Sequence, residues 1–309
     1  MIDTFHISDN NLYNQTFYYN GVTNWQVWQK PPNCSFVNIF LLGGGAGGEG
    51  GETGNGGSGG VTRDGGRGGG SSSVTYATFP AFAIPDILYI QVGRGGLGGA
   101  PALSSGVDGE AGTLSYVAVL PDSNYTPQNI LIPSGNAPAT TLGIAGTAIT
   151  LAQVILSQVT LLSSYAGQDG GAAGASSTPA VNVTPTGIPV TGGAGGSGVS
   201  GVGTLGAAAS INGFLFCPTI PAGVSRATLG GTDGGSGYST RENFNNLNYK
   251  LPLFFTGGAG GGAGDTSTGG RGGAGAFGCG GGGGGAGVTN TLGGYGGNGG
   301  NGLVIITAS

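Results

Sequence analysis

The sequence predicts a mainly β and irregular fold, in which β-sandwich-like strands run directly into bundles of polyglycine II helices. Three observations predict it. Glycine supplies 75 of the 309 residues, the glycines hold a period of three over long tracts, and short β-rich runs stand at the ends of those tracts.

The glycine share, about 24% against a usual roughly 7%, sets the choice between a flexible linker and an ordered array. Spacing decides for the array. From residue 44 the chain divides into GGA, GGE, GGE, TGN, GGS, GGV, TRD, GGR and GGG, ending at residue 70. From 257 it reads GGA, GGG, AGD, TST, GGR, GGA, GAF, GCG, GGG, GGA, GVT, NTL, GGY, GGN and GGN. A random coil has no reason to keep such a frame, whereas a polyproline-type helix has three residues per turn, about 3.1 Å of rise per residue and no internal hydrogen bonds. Collagen is excluded because the long tracts lack proline. Helices with two bare faces can instead pack side by side, each peptide group bonding to a neighbour. The lattice glycines are then Gly44, Gly47, Gly50, Gly56, Gly59, Gly257, Gly260, Gly269, Gly272, Gly281, Gly284, Gly293, Gly296 and Gly299. Ordering 75 glycines costs roughly 0.5–1 kcal/mol each beyond alanine, about 40–75 kcal/mol in all. Pairing essentially every backbone group offsets that cost.

Breaks in the frame mark reversals at the lattice ends: Thr53, the TRD at 62–64 and the TST at 266–268. The run 280–285 has no side chain on any face and suits the interior. Ala46, Glu49, Glu52, Arg67, Phe277, Tyr295 and Asn298 occupy outward third positions. FVNIFLL (36–42), ILYIQV (87–92), LSYVAVL (114–120), NGFLFCP (212–218) and LVIITAS (303–309) read as strands. LAQVILSQVTLLSSY (151–165) fits either a helix or two strands. One plan repeated twice is expected, with a sandwich at the base of each lattice. Residues 1–24 form an extension that docks elsewhere or covers the first sandwich. Residues 25–135 form a first β and glycine-rich domain, 136–256 an intervening β and loop region, and 257–309 the last lattice tract and closing strand.

Composition also excludes chemistry. Eight basic residues against thirteen acidic, net charge −5, cannot build the basic patch of a nucleic-acid reader. His6 is the single histidine, so no His-pair metal site forms and no metal or cofactor is expected. Cys34, Cys217 and Cys279 lack metal or redox spacing and read as free thiols. Neither Lys30 nor Lys250 follows glycine, which excludes a phosphate loop, and the repeated G-x-G-x-x-G matches lack a βαβ context. Glu49 and Glu52, one triplet apart, are about 9 Å apart by the helix rise and read as a solvated helix face rather than a glycosidase pair. No apolar run is long enough to span a membrane and the N-terminus has no secretory pattern. The chain is read as non-enzymatic.

WQKPPNCSFVNIFLLGGGAGGEGG, FPAFAIPDILYIQVGRGGLGGA and GCGGGGGGAGVTNTLGGYGGNGGNGLVIITAS resemble the glycine-rich fibre and tail-fibre tip adhesins of tailed phages, marine ones above all. The likeness covers most of 25–135 and 257–309. It implies a virion surface protein assembled in the host cytoplasm, a rigid polyglycine II body, and loops between tracts that touch a host surface glycan or protein. It further implies other virion proteins as partners and a homo-oligomer, with a trimer as the guess. The candidate receptor residues are Tyr238, Arg241, Asn243, Phe244, Asn246 and Tyr249 in one loop and Asp122, Asn124 and Tyr125 in another, polar and aromatic groups suited to recognition. A capsid decoration or head fibre, a cellular extracellular glycine-rich protein and a glycan depolymerase are the other classes.

Overall fold

The computed structural model describes residues 13–21, 25–54, 62–103, 105–121, 127–135, 138, 143–149, 160–175, 178–200, 204–214, 217–240, 253–265, 267–288 and 291–309. They are strands in antiparallel sheets and irregular chain, with almost no helix, as the composition and strand pattern predict.

The strands are β1 (Tyr13–Tyr18), β2 (Gln26–Gln29), β3 (Phe36–Leu42), β4 (Val74–Pro80), β5 (Ile87–Gln91), β6 (Tyr116–Ala118), β7 (Ile130–Pro133), β8 (Leu161–Tyr165), β9 (Val199–Ser200), β10 (Thr204–Leu205) and β11 (Leu303–Ala308). Five form a sheet in the order β1-β11-β3-β4-β8 and four form a second in the order β2-β5-β6-β7. Alternation along β3 explains how they stack, since Val37, Ile39 and Leu41 point one way and Phe40 and Leu42 the other. The inward set meets Phe79, Val304 and Ile306 from its own sheet and Trp28, Leu88, Ile90, Val117 and Ile132 from the other. The outward set is covered by Val190, Phe255 and Cys279.

At the end of β3 the pairing changes period from two to three. Leu42 still pairs with Leu303 of β11, but the Gly44 N–H donates to Thr113 O at 2.8 Å, on the chain that leads into β6 of the other sheet. Beyond that point the extensions of both sheets merge into one lattice. β3 and β5 lead out into it, and segments ending at β4, β6 and β11 return from it.

Several expectations need correction. The described residues of 212–218 form no strand; Phe214 and Cys217 bond to each other, by N–H to O bonds of 3.0 and 2.8 Å, and the Phe214 ring packs on Phe254. The strand expected over 114–120 shrinks to Tyr116–Ala118, because the chain just before it is still in the three-residue frame: the Thr113 N–H bonds to Arg94 O. Of 151–165, residues 161–165 are strand β8 and 151–159 lie outside the described residues. Ala46 is buried, not outward, and Glu49 and Glu52 of the same row line a groove with the 170–175 segment. Among the described residues one sandwich serves one lattice rather than two repeated units. β11 inserts between β1 and β3, so the first and last parts of the chain close a single sheet. Residues 191–198 and 220–238, within the expected intervening region, bond into the same lattice.

Candidate functional site

The lattice is built from the residues of one central rod outward. Along 279–288 no residue from Gly280 to Gly285 carries a side chain, so neighbouring backbones can approach from every direction. Its N–H groups point in turn to three rods. Gly281 and Gly284 donate to Ala46 and Glu49, Gly282 and Gly285 to Gly273 and Gly270, and Gly283 and Ala286 to Ala194 and Ser197, all at 2.8–2.9 Å. Its carbonyls accept from three others, at Gly66 and Gly69, Gly258 and Gly261, and Gly294 and Gly297. The repeat of three in both series is that of a three-residue turn.

These six neighbours also bond to one another in a closed ring. The 44–54 rod donates to 64–70 through Ala46 and Glu49. From 191–198, Gly193 and Gly196 donate to Gly69 and Gly66, and Ala194 and Ser197 to Gly258 and Gly261. Gly270 and Gly273 then donate to Gly262 and Ala259, Gly272 and Gly275 to Tyr295 and Asn298, and Gly45 and Gly48 close the ring onto Gly300 and Gly297. The result is a hexagonal cell with a glycine-only axis. A Cβ on Gly280, Gly281, Gly282, Gly283, Gly284 or Gly285 would overlap a neighbouring backbone carbonyl, so the cell admits no side chain on its axis. Gly278, at φ +70°, turns the chain from the 268–276 rod into the axis, a backbone region that suits glycine.

Among the expected lattice glycines, Gly44, Gly47, Gly50, Gly257, Gly260, Gly269, Gly272, Gly281, Gly284, Gly293, Gly296 and Gly299 all lie in rods, each with a backbone carbonyl where a Cβ would go. Gly56 and Gly59 lie outside the described residues.

A second set of contacts was not foreseen in the sequence. Where a rod has no further neighbour, a side chain takes the role of the absent carbonyl. In antiparallel pairs it does so reciprocally: the Glu49 N–H bonds to Arg67 O, and the Arg67 N–H bonds back to Glu49 Oε2 at 3.0 Å. Glu52 and Asp64 repeat the exchange, as do Thr113 and Arg94, Thr232 and Val224, and Thr256 and Tyr238. Asn298 and Asn301 Oδ1 accept from Gly98 and Gly95, each at 2.9 Å. Asp169 accepts from Ala145 and Asp233 from Arg271, both at 2.8 Å. The signal available in the sequence was an acceptor side chain at a third position, as in GGE and GGN.

Glu49 and Glu52 are therefore half-buried rather than fully solvated. They line a groove of about 380 Å³ with Asp64, Arg67 and the 170–175 segment. Burial pushes both carboxyls above the usual carboxylate range, against the lowering effect of the N–H of Arg67 on Glu49 and of Asp64 on Glu52. Among the described residues no cluster of three or more ligating side chains could hold a metal ion.

Of the candidate receptor residues only Tyr238 is described. It is half-buried beside Val183, Ile211 and Ile220, and burial, with a smaller effect of Cys217, raises its phenol pKa. Arg241, Asn243, Phe244, Asn246, Tyr249, Asp122, Asn124 and Tyr125 lie outside the described residues. Their flanks are placed. Thr240 and Phe254 close the neck of the first loop through the Thr240 N–H to Phe254 O and the Phe254 N–H to Thr240 Oγ1, at 3.0 and 2.9 Å. Phe255 packs on Leu42 and Leu303, so this loop leaves from the junction of sandwich and lattice. The second loop joins β6 to β7.

None of the curated proteins compared with the chain matches it. A family model described as a glycine-rich domain matches residues 21–309, nearly the whole length. The chain belongs to the glycine-rich domain family.

Proposed function

We propose that the protein is a non-enzymatic structural adhesin, a fibre or fibre-tip component of a tailed phage that attaches to the host cell surface. The observation that supports this reading best is the closed hexagonal cell of rods around a glycine-only axis. Such a body derives its stiffness from backbone bonds running laterally in every direction, and it fixes the rod ends from which the connecting segments leave. A rigid support lowers the cost of binding through the segments it carries. The polar and aromatic segment that includes Arg241 and Tyr249, tied at its neck by Thr240 and Phe254, is the proposed contact with a surface glycan or protein.

The test is adsorption. Fluorescently labelled protein is titrated onto a panel of bacterial cells and onto their isolated lipopolysaccharide, teichoic acid and outer-membrane fractions. Saturable binding to one envelope fraction, weakened in an Arg241→Ala/Tyr249→Ala variant with unchanged thermal stability, supports the proposal. Absence of saturable binding across the panel overturns the adhesive role. Normal binding by the variant moves the contact away from this loop. Immunogold labelling of phage particles separates a fibre tip from a head fibre.

A further inference from the structure

We propose that the lattice is terminated by its own side chains, and that Asn298 and Asn301 keep two copies of this chain from joining rod to rod. A polyglycine lattice has no intrinsic limit. Each surface rod presents N–H groups at every third residue, and a rod of any second copy carries carbonyls at the same repeat. The hazard is the lattice counterpart of an unprotected sheet edge, which invites pairing with another chain.

The 93–102 and 291–302 rods show how one row of the edge is closed. Gly296, Gly299 and Gly302 donate to Gly99, Gly96 and Gly93, each at 2.9 Å, which binds the two rods antiparallel. The N–H groups of Gly95 and Gly98 point elsewhere, and they are met by Asn301 Oδ1 and Asn298 Oδ1, again at 2.9 Å. Two amide oxygens three residues apart thus reproduce the spacing of a further rod's carbonyls, and at the distance of the backbone bonds themselves. The site outside Gly95 and Gly98 is already filled.

The same substitution recurs around the molecule. Glu49 and Glu52 close the edge of the 64–70 rod, Asp169 that of Ala145 and Asp233 that of Arg271. Thr113, at the edge near Arg94, and Thr232, near Val224, do so with hydroxyls. Four of these residues are carboxylic acids in a chain of net charge −5, so the capped edges of two copies also repel each other. The third positions of GGE and GGN triplets are thereby explained: they fall where the lattice ends.

The experiment compares the full chain with Asn298→Ala/Asn301→Ala and Asn298→Asp/Asn301→Asp by sedimentation velocity over a range of concentrations, with amide exchange at Gly95 and Gly98 followed by NMR. The alanine variant is expected to lose protection at these two amides when dilute. On concentration it should gain sedimenting mass about twofold or more relative to the unsubstituted protein, with protection of both amides restored. The aspartate variant keeps the acceptors and should sediment as the unsubstituted protein does. An alanine variant that exchanges faster yet shows no added association at any concentration overturns the proposal, and so does association of the aspartate variant to the same degree. Asn298→Ala alone, which opens the Gly98 amide only, is read in the same way if the double variant does not fold.

Discussion

Replacing Gly283 by alanine adds one methyl group to the axis of the hexagonal cell, and the structure predicts a loss out of proportion to that size. The new Cβ would overlap the carbonyl of Gly66 and crowd Arg67 O at 2.9 Å. Both belong to backbone that is itself held in the ring, so no side chain can swing away. Relief requires the 64–70 and axial rods to separate by roughly 1 Å or more, given the usual contact distance of non-bonded atoms. The bonds joining them, Gly66 N–H to Gly284 O at 2.7 Å and Gly69 N–H to Gly281 O at 2.8 Å, then pass out of range. Losing these two buried bonds, at about 1–3 kcal/mol for each left unmade, costs about 2–6 kcal/mol together. Restricting the unfolded chain returns about 0.5–1 kcal/mol, which leaves a net loss of about 1–5.5 kcal/mol. Urea unfolding of Gly283→Ala beside Gly230→Ala measures it. At Gly230 the nearest atom to a new Cβ is Thr268 O at 3.1 Å, where a small shift suffices. Equal midpoints for the two variants would refute the account of the axis.

Stability should rise as pH falls from neutrality. The Glu49 and Glu52 carboxyls are raised above 4.5, first by burial, so the folded state holds their protons to a higher pH than the unfolded chain does. Their contribution is fully present below the unfolded value and is lost as pH rises through the folded one. Thermal melts across that window check the sign, and Glu49→Gln/Glu52→Gln should flatten the profile. Thiol reagents should modify the half-buried Cys34 in the folded protein and spare Cys217, whose thiol burial raises to about 11, and the fully buried Cys279, whose thiol is raised further; thiol titration with and without denaturant counts them. Deleting residues 303–309 removes the strand between β1 and β3 and should abolish cooperative unfolding of sandwich and lattice together, seen as loss of protease resistance in both the first and last glycine tracts.

Much of this architecture was legible because local and global periods agree. The triplet frame required a three-residue turn, the bare run 280–285 suited an interior position, and the β-rich run FVNIFLL marked a strand. Three features were not legible. The GGE and GGN residues read as solvent-facing, because nothing local says that an acceptor side chain will meet an N–H group 18 residues away, as Glu49 meets Arg67, or 200 residues away, as Asn298 meets Gly98. NGFLFCP carries strand-forming residues, yet its described residues find no partner strand. The order of rods around the axis was equally hidden.

The sequence by itself determined the rods: glycine frequency and phase dictate a three-residue turn whose peptide groups must be satisfied by neighbours. Only the tertiary structure decided which rods are neighbours, that a single sandwich anchors them, and where the lattice stops. The physical reason is that polyglycine rods are nearly interchangeable. Their lateral bonds are the same whichever rods meet, so selection falls to the few residues that differ: the strands that fix where each rod begins, the turns that reverse it, and the side chains that take the last acceptor position at the edge.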